Sequence, residues 1–273
     1  MNIRLKVIGR RSDGYHELVS IMVPINLFDL LEIDVIPEGI KLACEGYQVP
    51  TDENNLVHRA VQTFLSQVSF DKGISIRLKK NIPVAAGLGG GSSDAATTLL
   101  SLNDICAKPL SLTELHHLAV QLGADVPFFL YGKPSLVRGI GEILEPLERW
   151  PKLYYVIITP PLQVSTAWVY GNLKLELTRG EYDYILNSLE NSLVTISHLL
   201  ENDLEKVTAA SFPIINRIKK LLVEAGAEGA IMSGSGPSVF GVFTSLDQAI
   251  SAERSLISQD LGDVFIATNW EKD

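Results

Sequence analysis

The sequence predicts an α+β fold of two domains. Strand-like and helix-like segments follow each other without the regular alternation of a doubly wound parallel sheet. The chain has 273 residues, 46% of them apolar and 20% charged, which is typical of a globular protein with room for two cores. Pro146, Trp150 and Pro151 interrupt regular structure near mid-chain, so we expect domains at 1–150 and 151–273.

Hydrophobic periodicity indicates the elements in order. Ile3, Leu5 and Val7 alternate with charged residues, as in a half-buried strand, and Ser111 with Glu114 forms a capping-box pattern before an apolar helical face. The predicted strands cover 2–7, 30–36, 40–43, 74–78, 153–159, 239–243 and 264–268. The predicted helices cover 52–68, 94–102, 111–122, 181–199, 213–225 and 246–258.

Composition excludes several classes of function. The net charge of -9 argues against nucleic acid as the main partner, although a phosphorylated small molecule needs only a local positive site. No apolar run reaches the roughly 18 residues of a membrane span. Two cysteines, Cys44 and Cys106, are too few for a disulfide framework, so we expect reduced thiols and a cytoplasmic protein. The sequence does not indicate an oligomeric state.

A glycine-rich segment between a predicted strand and a predicted helix is the strongest chemical signal. Four glycines within five residues let backbone N–H groups converge, and the helix that follows adds its positive end, which favours an anion such as a nucleotide phosphate. Ser92 and Ser93 add hydroxyls for phosphate or Mg²⁺, and Lys79 and Lys80 add charge upstream. The expected ATP-binding residues are Pro83, Val84, Ala85, Ala86, Gly87, Leu88, Gly89, Gly90, Gly91, Ser92 and Ser93.

This segment matches neither common nucleotide fingerprint. A Walker A loop ends in Gly-Lys-Ser/Thr, which is absent, and the dinucleotide pattern has glycine where Ser92 stands. A plain flexible turn is the structural alternative. A second cluster, 233–238, is by itself as consistent with a tight turn as with a loop that closes over the same phosphates.

Three further positions carry chemistry-bearing side chains, each with a structural alternative. Asp125 follows the helix stop at Gly123, where a carboxylate either accepts a proton or caps a helix. Tyr15 and His16 follow a predicted turn. Their rings suit stacking on a nucleobase, but it is equally open that Tyr15 packs over the core and His16 faces solvent. Tyr170 is a stacking partner or a core aromatic.

These segments resemble the GHMP kinases, a family that includes galactokinase, homoserine kinase and mevalonate kinase. Residues 83–96 resemble its second motif and 232–241 its third, and the similarity extends over essentially the whole chain through 9–18, 123–129, 139–142, 164–166 and 202–205. The resemblance implies a ribosomal-protein-S5-like N-terminal domain that binds ATP and a ferredoxin-like C-terminal domain. It also implies phosphorylation of the 2-hydroxyl of a CDP-linked methylerythritol in the non-mevalonate isoprenoid pathway.

The resemblance also assigns roles to residues. It implies that Asp125 is catalytic, that Asn2, Tyr15, His16, Thr166 and Tyr170 bind the substrate, and that Mg²⁺ arrives with ATP rather than at a protein metal site. Two alternatives to the implied function are another small-molecule kinase of the homoserine or mevalonate type and a non-catalytic nucleotide-binding relative. Asn54 and Asn55, near a helix start, are open between adenine contact and helix capping.

The start of the sequence departs from the family. The family's first motif runs Pro-x-Lys-apolar-Asn-apolar, and Asn2 matches its asparagine, so the catalytic lysine would stand immediately before Met1 and is absent. Three explanations are open: the sequence begins inside a longer reading frame, which we favour; the chain is a shortened product with impaired catalysis; or it is a non-catalytic relative.

We predict that kcat rises strongly when the chain is extended at its N-terminus by a segment that ends in Pro-x-Lys directly before position 1. Position 1 stays apolar in this extended chain, and substrate affinity should change less. An ammonium group there would offset charge on the transferring phosphoryl oxygens. Steady-state kinetics of the extended chain and of its Lys→Ala version test this. Equal kcat in both extended chains and the original chain would show that the lysine has no catalytic role.

Overall fold

A computed structural model of the protein describes residues 1–174 and 196–270. The strands are β1 (Asn2–Arg10), β2 (His16–Met22), β3 (Leu30–Ile36), β4 (Ile40–Gly46), β5 (Gly73–Lys80), β6 (Ser135–Gly139), β7 (Ile143–Pro146), β8 (Tyr154–Thr159), β9 (Glu201–Asn202), β10 (Gly229–Met232), β11 (Val239–Phe243) and β12 (Asp263–Thr268). The helices are α1 (Leu56–Leu65), α2 (Gly90–Ile105), α3 (Leu112–Leu122), α4 (Val126–Tyr131), α5 (Thr166–Asn172), α6 (Ile196–Leu199), α7 (Asp203–Ser211), α8 (Ile214–Glu224) and α9 (Leu246–Ile257).

These elements form two compact units. The first comprises Met1–Asn26, Ala85–Leu88 and Lys133–Asp273, and the second comprises Leu27–Val84 and Gly89–Gly132. The predicted mixed α+β fold is therefore confirmed. The compact units are a different division of the chain from the predicted domains 1–150 and 151–273, whose boundary stays a prediction. In the described ranges, no helix is both long and apolar enough to cross a membrane.

The first unit is built on two sheets. Its five-stranded sheet has the order β7-β6-β2-β1-β9, in which the short strand β9 runs parallel to β1 and the other pairs are antiparallel. Its four-stranded sheet has the antiparallel order β10-β11-β8-β12. The core buries β8 and β11 with the apolar faces of α8 and α9, which accounts for the nearly continuous apolar runs of these strands.

The second unit pairs a three-stranded sheet with helices. The sheet has the order β3-β5-β4, with β5 antiparallel to β3 and parallel to β4. Alternate residues of β5, including Ile74, Ile76 and Leu78, pack against α1, α2 and α3. The side-chain alternation that predicts β5 therefore also sets which face of the sheet meets the helices.

Helix ends follow local chemistry. Asn55 caps α1 by accepting a hydrogen bond from the Val57 backbone N–H at 2.8 Å. Ser111 and Glu114 form the predicted capping box of α3. Helix α2 begins at Gly90, four residues before its predicted start at Asp94, so the last part of the glycine-rich segment is the first turn of a helix and not a loop.

Most predicted elements are confirmed, with shifted ends. The predicted helix over 52–68 begins only at Leu56, because Asn55 is its cap. Of the predicted helix over 181–199, residues 196–199 are helical and 181–195 lie outside the described residues. The sequence analysis did not predict several elements, most of them short: β2, β6, β7, β9, β10, α4, α5 and α7.

Candidate active site

The first half of the glycine-rich segment belongs to the first unit, where it lies against the second glycine cluster. A Cβ built on Gly87, whose φ is +74°, would be 2.2 Å from the Ser233 carbonyl oxygen. The Ser233 hydroxyl donates to the Gly87 carbonyl oxygen at 2.8 Å, and the Ser238 N–H donates to the Ala86 carbonyl oxygen at 3.2 Å. Only glycine fits at position 87, because both the backbone angle and the close approach exclude a side chain.

The second half of the segment starts α2 in the second unit. Gly89 is the N-cap residue with φ +74° and offers no side chain, so the first N–H groups of α2 have no side-chain cap. Ser92 and Ser93 lie in its first turn and are half-buried. The backbone N–H groups at this uncapped start of a 16-residue helix are therefore of the kind that suits an anion.

Gly90 is needed for space and not for its backbone angle. It is helical, and a Cβ there would be 3.0 Å from Ile82 Cγ2 and 3.1 Å from Lys80 Nζ. A larger side chain at position 90 would therefore push apart the end of β5 and the start of α2.

Lys80 does not lend free charge to this segment, contrary to the expectation. It is buried between two buried carboxylates: it pairs with Asp29, and its Nζ is 2.9 Å from Asp94 Oδ2. Asp29 also accepts hydrogen bonds from the backbone N–H groups of Asn81 and Ile82. Burial raises the pKa of Asp94 to about 7, against the opposing effect of the Lys80 charge. The cluster thus ties β5 to α2 and leaves no net positive charge.

Asp125 stands at the N-cap position of α4 but does not cap the helix. Its side chain makes no capping hydrogen bond, which removes the structural alternative. The residue remains accessible to solvent, while protein packed around its carboxyl group raises the pKa of Asp125 by desolvation. In the same unit Phe129 of α4 lies against Gly89, at the start of α2. Asp125 is thus a carboxyl group without a capping role on a helix that contacts the start of α2.

Aromatic side chains of the first unit form a stack. The rings of His16, at the start of β2, and Tyr170, on α5, have centroids 5.0 Å apart at an interplanar angle of 25°. Burial, with a smaller contribution from the Arg10 charge, lowers the pKa of His16 and favours the neutral imidazole. Tyr15 precedes His16 with its side chain 59% exposed, so it is not a lid on the core. Two parallel rings beside an exposed phenol suit a planar ligand.

Thr166 and Asn2 both contact the second glycine cluster. The Thr166 and Ser235 hydroxyls are hydrogen-bonded at 2.8 Å. The Asn2 backbone N–H donates to the Ser233 hydroxyl at 3.2 Å, and the Asn2 amide group donates to the Ser20 hydroxyl at 2.9 Å. Both predicted substrate-binding residues therefore lie in the first unit against the segment that also holds Gly87.

The sequence analysis missed residues that hold these parts in place. The sequence analysis gave Asp29 and Asn202 no role, although Asn202 opens the segment 202–205 that resembles the family, because the partners of both residues are far along the chain. Asn55 had two interpretations, and its cap to Val57 together with a hydrogen bond of 2.7 Å to the Pro50 carbonyl oxygen favours the structural one. Among the described residues, no group of three or more His, Cys, Asp and Glu side chains has the arrangement of a metal site.

Comparison with known proteins gives consistent matches over nearly the whole chain. The family profile described as GHMP kinases N terminal domain matches residues 55–133, and the profile described as GHMP kinases C terminal matches residues 185–261. A 4-diphosphocytidyl-2-C-methyl-D-erythritol kinase of Syntrophotalea carbinolica is 46% identical over 261 residues, 95% of this chain and 92% of that protein. The enzyme of the same name from Geobacter metallireducens is 45% identical over 258 residues, 94% of this chain and 91% of that protein.

Solved structures match as well. A crystal structure of 4-(cytidine 5'-diphospho)-2C-methyl-D-erythritol kinase superposes with a TM-score of 0.83 at 35% identity, covering 98% of this chain and 95% of that one. A homoserine kinase from Cytophaga hutchinsonii has a TM-score of 0.75 at 22% identity, covering 94% of this chain and 90% of that one, and shares the fold.

We predict that Gly87→Ala lowers the free energy of unfolding by about 1–3 kcal/mol or more. Alanine disfavours the positive φ at this position, and its Cβ would also clash with the backbone. Gly91→Ala is the matched control, since its Cβ would meet only Leu56 Cδ1 at 3.6 Å. That change should shift stability by no more than about 1 kcal/mol, alanine being the better helix former. Urea unfolding of both variants tests this, and equal effects would contradict the close approach at Gly87.

Proposed function

The chain belongs to the GHMP kinase family, and on that premise we propose that it transfers the γ-phosphoryl group of ATP to the 2-hydroxyl of 4-diphosphocytidyl-2-C-methyl-D-erythritol. Two relatives and one solved structure that cover more than nine-tenths of this chain are named for a kinase of that compound. The proposal goes beyond family membership because it specifies the acceptor, and the family also includes kinases whose acceptors carry no nucleobase.

The observation that carries the proposal is the His16–Tyr170 stack beside the exposed Tyr15. A nucleobase binds to parallel aromatic surfaces by stacking, and a neutral imidazole has one donor and one acceptor for a base edge. A small hydroxy acid or amino acid has no ring for such a surface. The aromatic residues therefore favour a cytidine-linked acceptor over homoserine or mevalonate.

ATP phosphates suit the glycine-rich segment. The left-handed Gly87 and Gly89 keep side chains away from the backbone, and the uncapped start of α2 offers N–H groups to an anion. Mg²⁺ supplies charge neutralisation on the phosphate oxygens, and the hydroxyls of Ser92 and Ser93 in the first turn of α2 are the side chains that would reach it. Both serines are half-buried, which suits polar groups next to a bound anion.

Asp125 suits the role of general base. Its carboxylate would accept the proton of the 2-hydroxyl as the oxygen–phosphorus bond forms and ADP departs with the electrons of the broken bond. Because its side chain does not cap α4, no other contact competes for that carboxylate within the helix end. A tertiary alcohol is a hindered nucleophile, so positioning by the surrounding residues should supply much of the rate enhancement.

Binding of CDP tests the acceptor class. CDP at about 100 times its Kd should stabilise the protein by about 2.7 kcal/mol, which raises the melting temperature by several degrees. No stabilisation by CDP would favour a kinase of the homoserine or mevalonate type. Binding of ATP and CDP without phosphoryl transfer, in a chain that carries the family's N-terminal lysine, would favour a non-catalytic relative.

We predict that Tyr170→Ala raises the Kd for CDP by about 5- to 150-fold, because base–aromatic stacking contributes about 1–3 kcal/mol. Trp168→Ala is the matched control on the same helix, since Trp168 packs edge-on against Phe212 and not on His16. Its Kd for CDP should stay within about threefold of the wild-type value, below the smallest effect expected from lost stacking. Isothermal titration calorimetry measures both, and an equal loss in the two variants would remove the stack from base binding.

We predict that Asp125→Asn lowers kcat by about a hundredfold or more while the Kd values for ATP and CDP change little, because the amide keeps the shape and loses the base. In the wild type, activity should fall as the pH drops through the raised pKa of Asp125, at a higher pH than for an ordinary aspartate, since only the ionised form accepts a proton. Steady-state kinetics over a pH series measure both effects.

The control is the dependence of activity on pH in Asp125→Asn, measured over the same acidic range. Any residual activity of that variant should lack this acid limb, because the titrating group is gone. A kcat close to that of the wild type, or an acid limb that survives the substitution, would exclude Asp125 as the base.

A further inference from the structure

One loop of the first unit contacts both sets of proposed ligand-binding residues. The serine–glycine loop, defined as Met232–Ser238, bonds to the glycine-rich segment through Ser233 and Gly87 at 2.8 Å. The same loop bonds to α5, which carries Tyr170, through the hydroxyls of Ser235 and Thr166 at 2.8 Å. The position of this loop therefore affects the residues proposed for phosphate and those proposed for cytidine.

The backbone of the loop is only partly restrained from within, by hydrogen bonds from the Ser233 N–H to the Ser238 carbonyl oxygen and from the Gly236 N–H to the Ser233 carbonyl oxygen, both at 2.9 Å. Gly234 and Gly236 have φ values of +56° and +85°, in the region that glycine enters easily and other residues avoid. Glycines widen the range of conformations open to the loop, so contacts from outside help to select one.

Asn202 is the side chain that restrains the loop most directly. It lies at the end of β9, is buried to 7% exposure, and its amide group donates to the carbonyl oxygens of Met232 and Gly234, both at 2.8 Å. Its Oδ1 accepts the Leu204 N–H at 2.9 Å and so caps α7. Both donors and the acceptor are engaged, which an aspartate or a serine at this position would not reproduce.

Two neighbours support the same arrangement. The Met232 N–H donates to Glu205 Oε2 at 2.8 Å, and the Thr208 hydroxyl donates to the Ser235 carbonyl oxygen at 3.1 Å. Glu205 and Thr208 both lie on α7, the helix that Asn202 caps. The cap and the loop contacts are thus parts of one rigid support.

We propose that Asn202 is a positioning residue for the phosphoryl transfer: by holding the Met232 and Gly234 carbonyl groups, it sets the serine–glycine loop and, through that loop, Gly87 and Thr166. The proposal rests on the proposed function. It needs no contact between Asn202 and either ligand. A loop displaced by about 1 Å is enough for losses of about a hundredfold in a site that depends on positioning.

Asn202→Ser is the test variant, because serine is also a good N-cap residue but lacks the two amide donors. The matched control is Asn103→Ser. Asn103 is also 7% exposed and bonds both ways to the Leu110 backbone, at 2.9 and 3.0 Å, within the second unit. Both changes should lower the melting temperature, so the control measures what lost stability alone does to binding.

Isothermal titration calorimetry with ATP and with CDP, well below either melting temperature, separates the roles. We expect Asn202→Ser to raise the Kd for both probes by about tenfold or more, because both sets of contacts depend on the loop, and Asn103→Ser to leave both within about threefold. Ser235→Ala should raise the Kd for CDP by about fivefold and leave that for ATP unchanged, since it removes one hydrogen bond, to Thr166.

The outcomes separate this proposal from the proposed function. Wild-type protein that binds ATP and CDP but transfers no phosphoryl group refutes the proposed function alone. Unchanged Kd values in folded Asn202→Ser overturn the positioning role alone. Failure of Asn202→Ser to fold while Asn103→Ser folds also overturns the positioning role, because Asn202 then serves folding. A rise in the Kd for ATP in Ser235→Ala as large as the rise for CDP overturns it as well, because the loop then does not divide its contacts as described.

Discussion

The close approach of two backbones at Gly87 is the constraint on which the first unit's proposed ligand-binding residues depend. A Cβ at this position would be 2.2 Å from the Ser233 carbonyl oxygen, so the contact exists only because residue 87 has no side chain. The Ser233 hydroxyl then bonds to the Gly87 carbonyl oxygen, and the same loop reaches Thr166 through Ser235. Two segments that are 146 residues apart in sequence thereby act as one structural element.

The second unit relies on a different interaction at the start of α2. Lys80 lies between Asp29 and Asp94, and all three side chains are almost fully buried. Burying three charged groups is costly, and the ion pairs and the backbone N–H donors to Asp29 offset that cost. Such a cluster contributes less to net stability than to a single arrangement of β5 and α2, because removing one partner leaves an unpaired buried charge.

The chemistry divides between the units in a simple way. The first unit carries the aromatic stack of His16 and Tyr170 and the loop that holds Thr166. The second carries the uncapped start of α2 and Asp125, whose pKa is raised by desolvation. The residues proposed to bind the substrate are thus held by stacking and by a hydrogen-bonded loop. The group proposed to accept a proton stands at a helix end, where no cap hydrogen bond engages it.

Much of the fold was readable from the sequence by itself. The strands with strict alternation, such as β5, and the helices with clear apolar faces, such as α8, were predicted with ends shifted by a few residues. The glycine-rich segment was also recognisable from the local order of residue types, whereas Asp125 and the Tyr15–His16 pair had two interpretations each and took their expected roles only from the family resemblance. Local patterns determine helix faces and helix caps, since the residues that form them lie within one or two turns of each other.

The tertiary structure alone decided which contacts hold the site. The sequence predicts a free positive charge at Lys80, but its partner Asp29, 51 residues away in sequence, lies beside it in the fold. Asn202 bonds to carbonyl groups 30 and 32 residues further along, and Gly90 needs space because Ile82 and Lys80 lie against it. Such contacts leave no trace in local order, because only the folded chain brings distant segments within hydrogen-bonding distance.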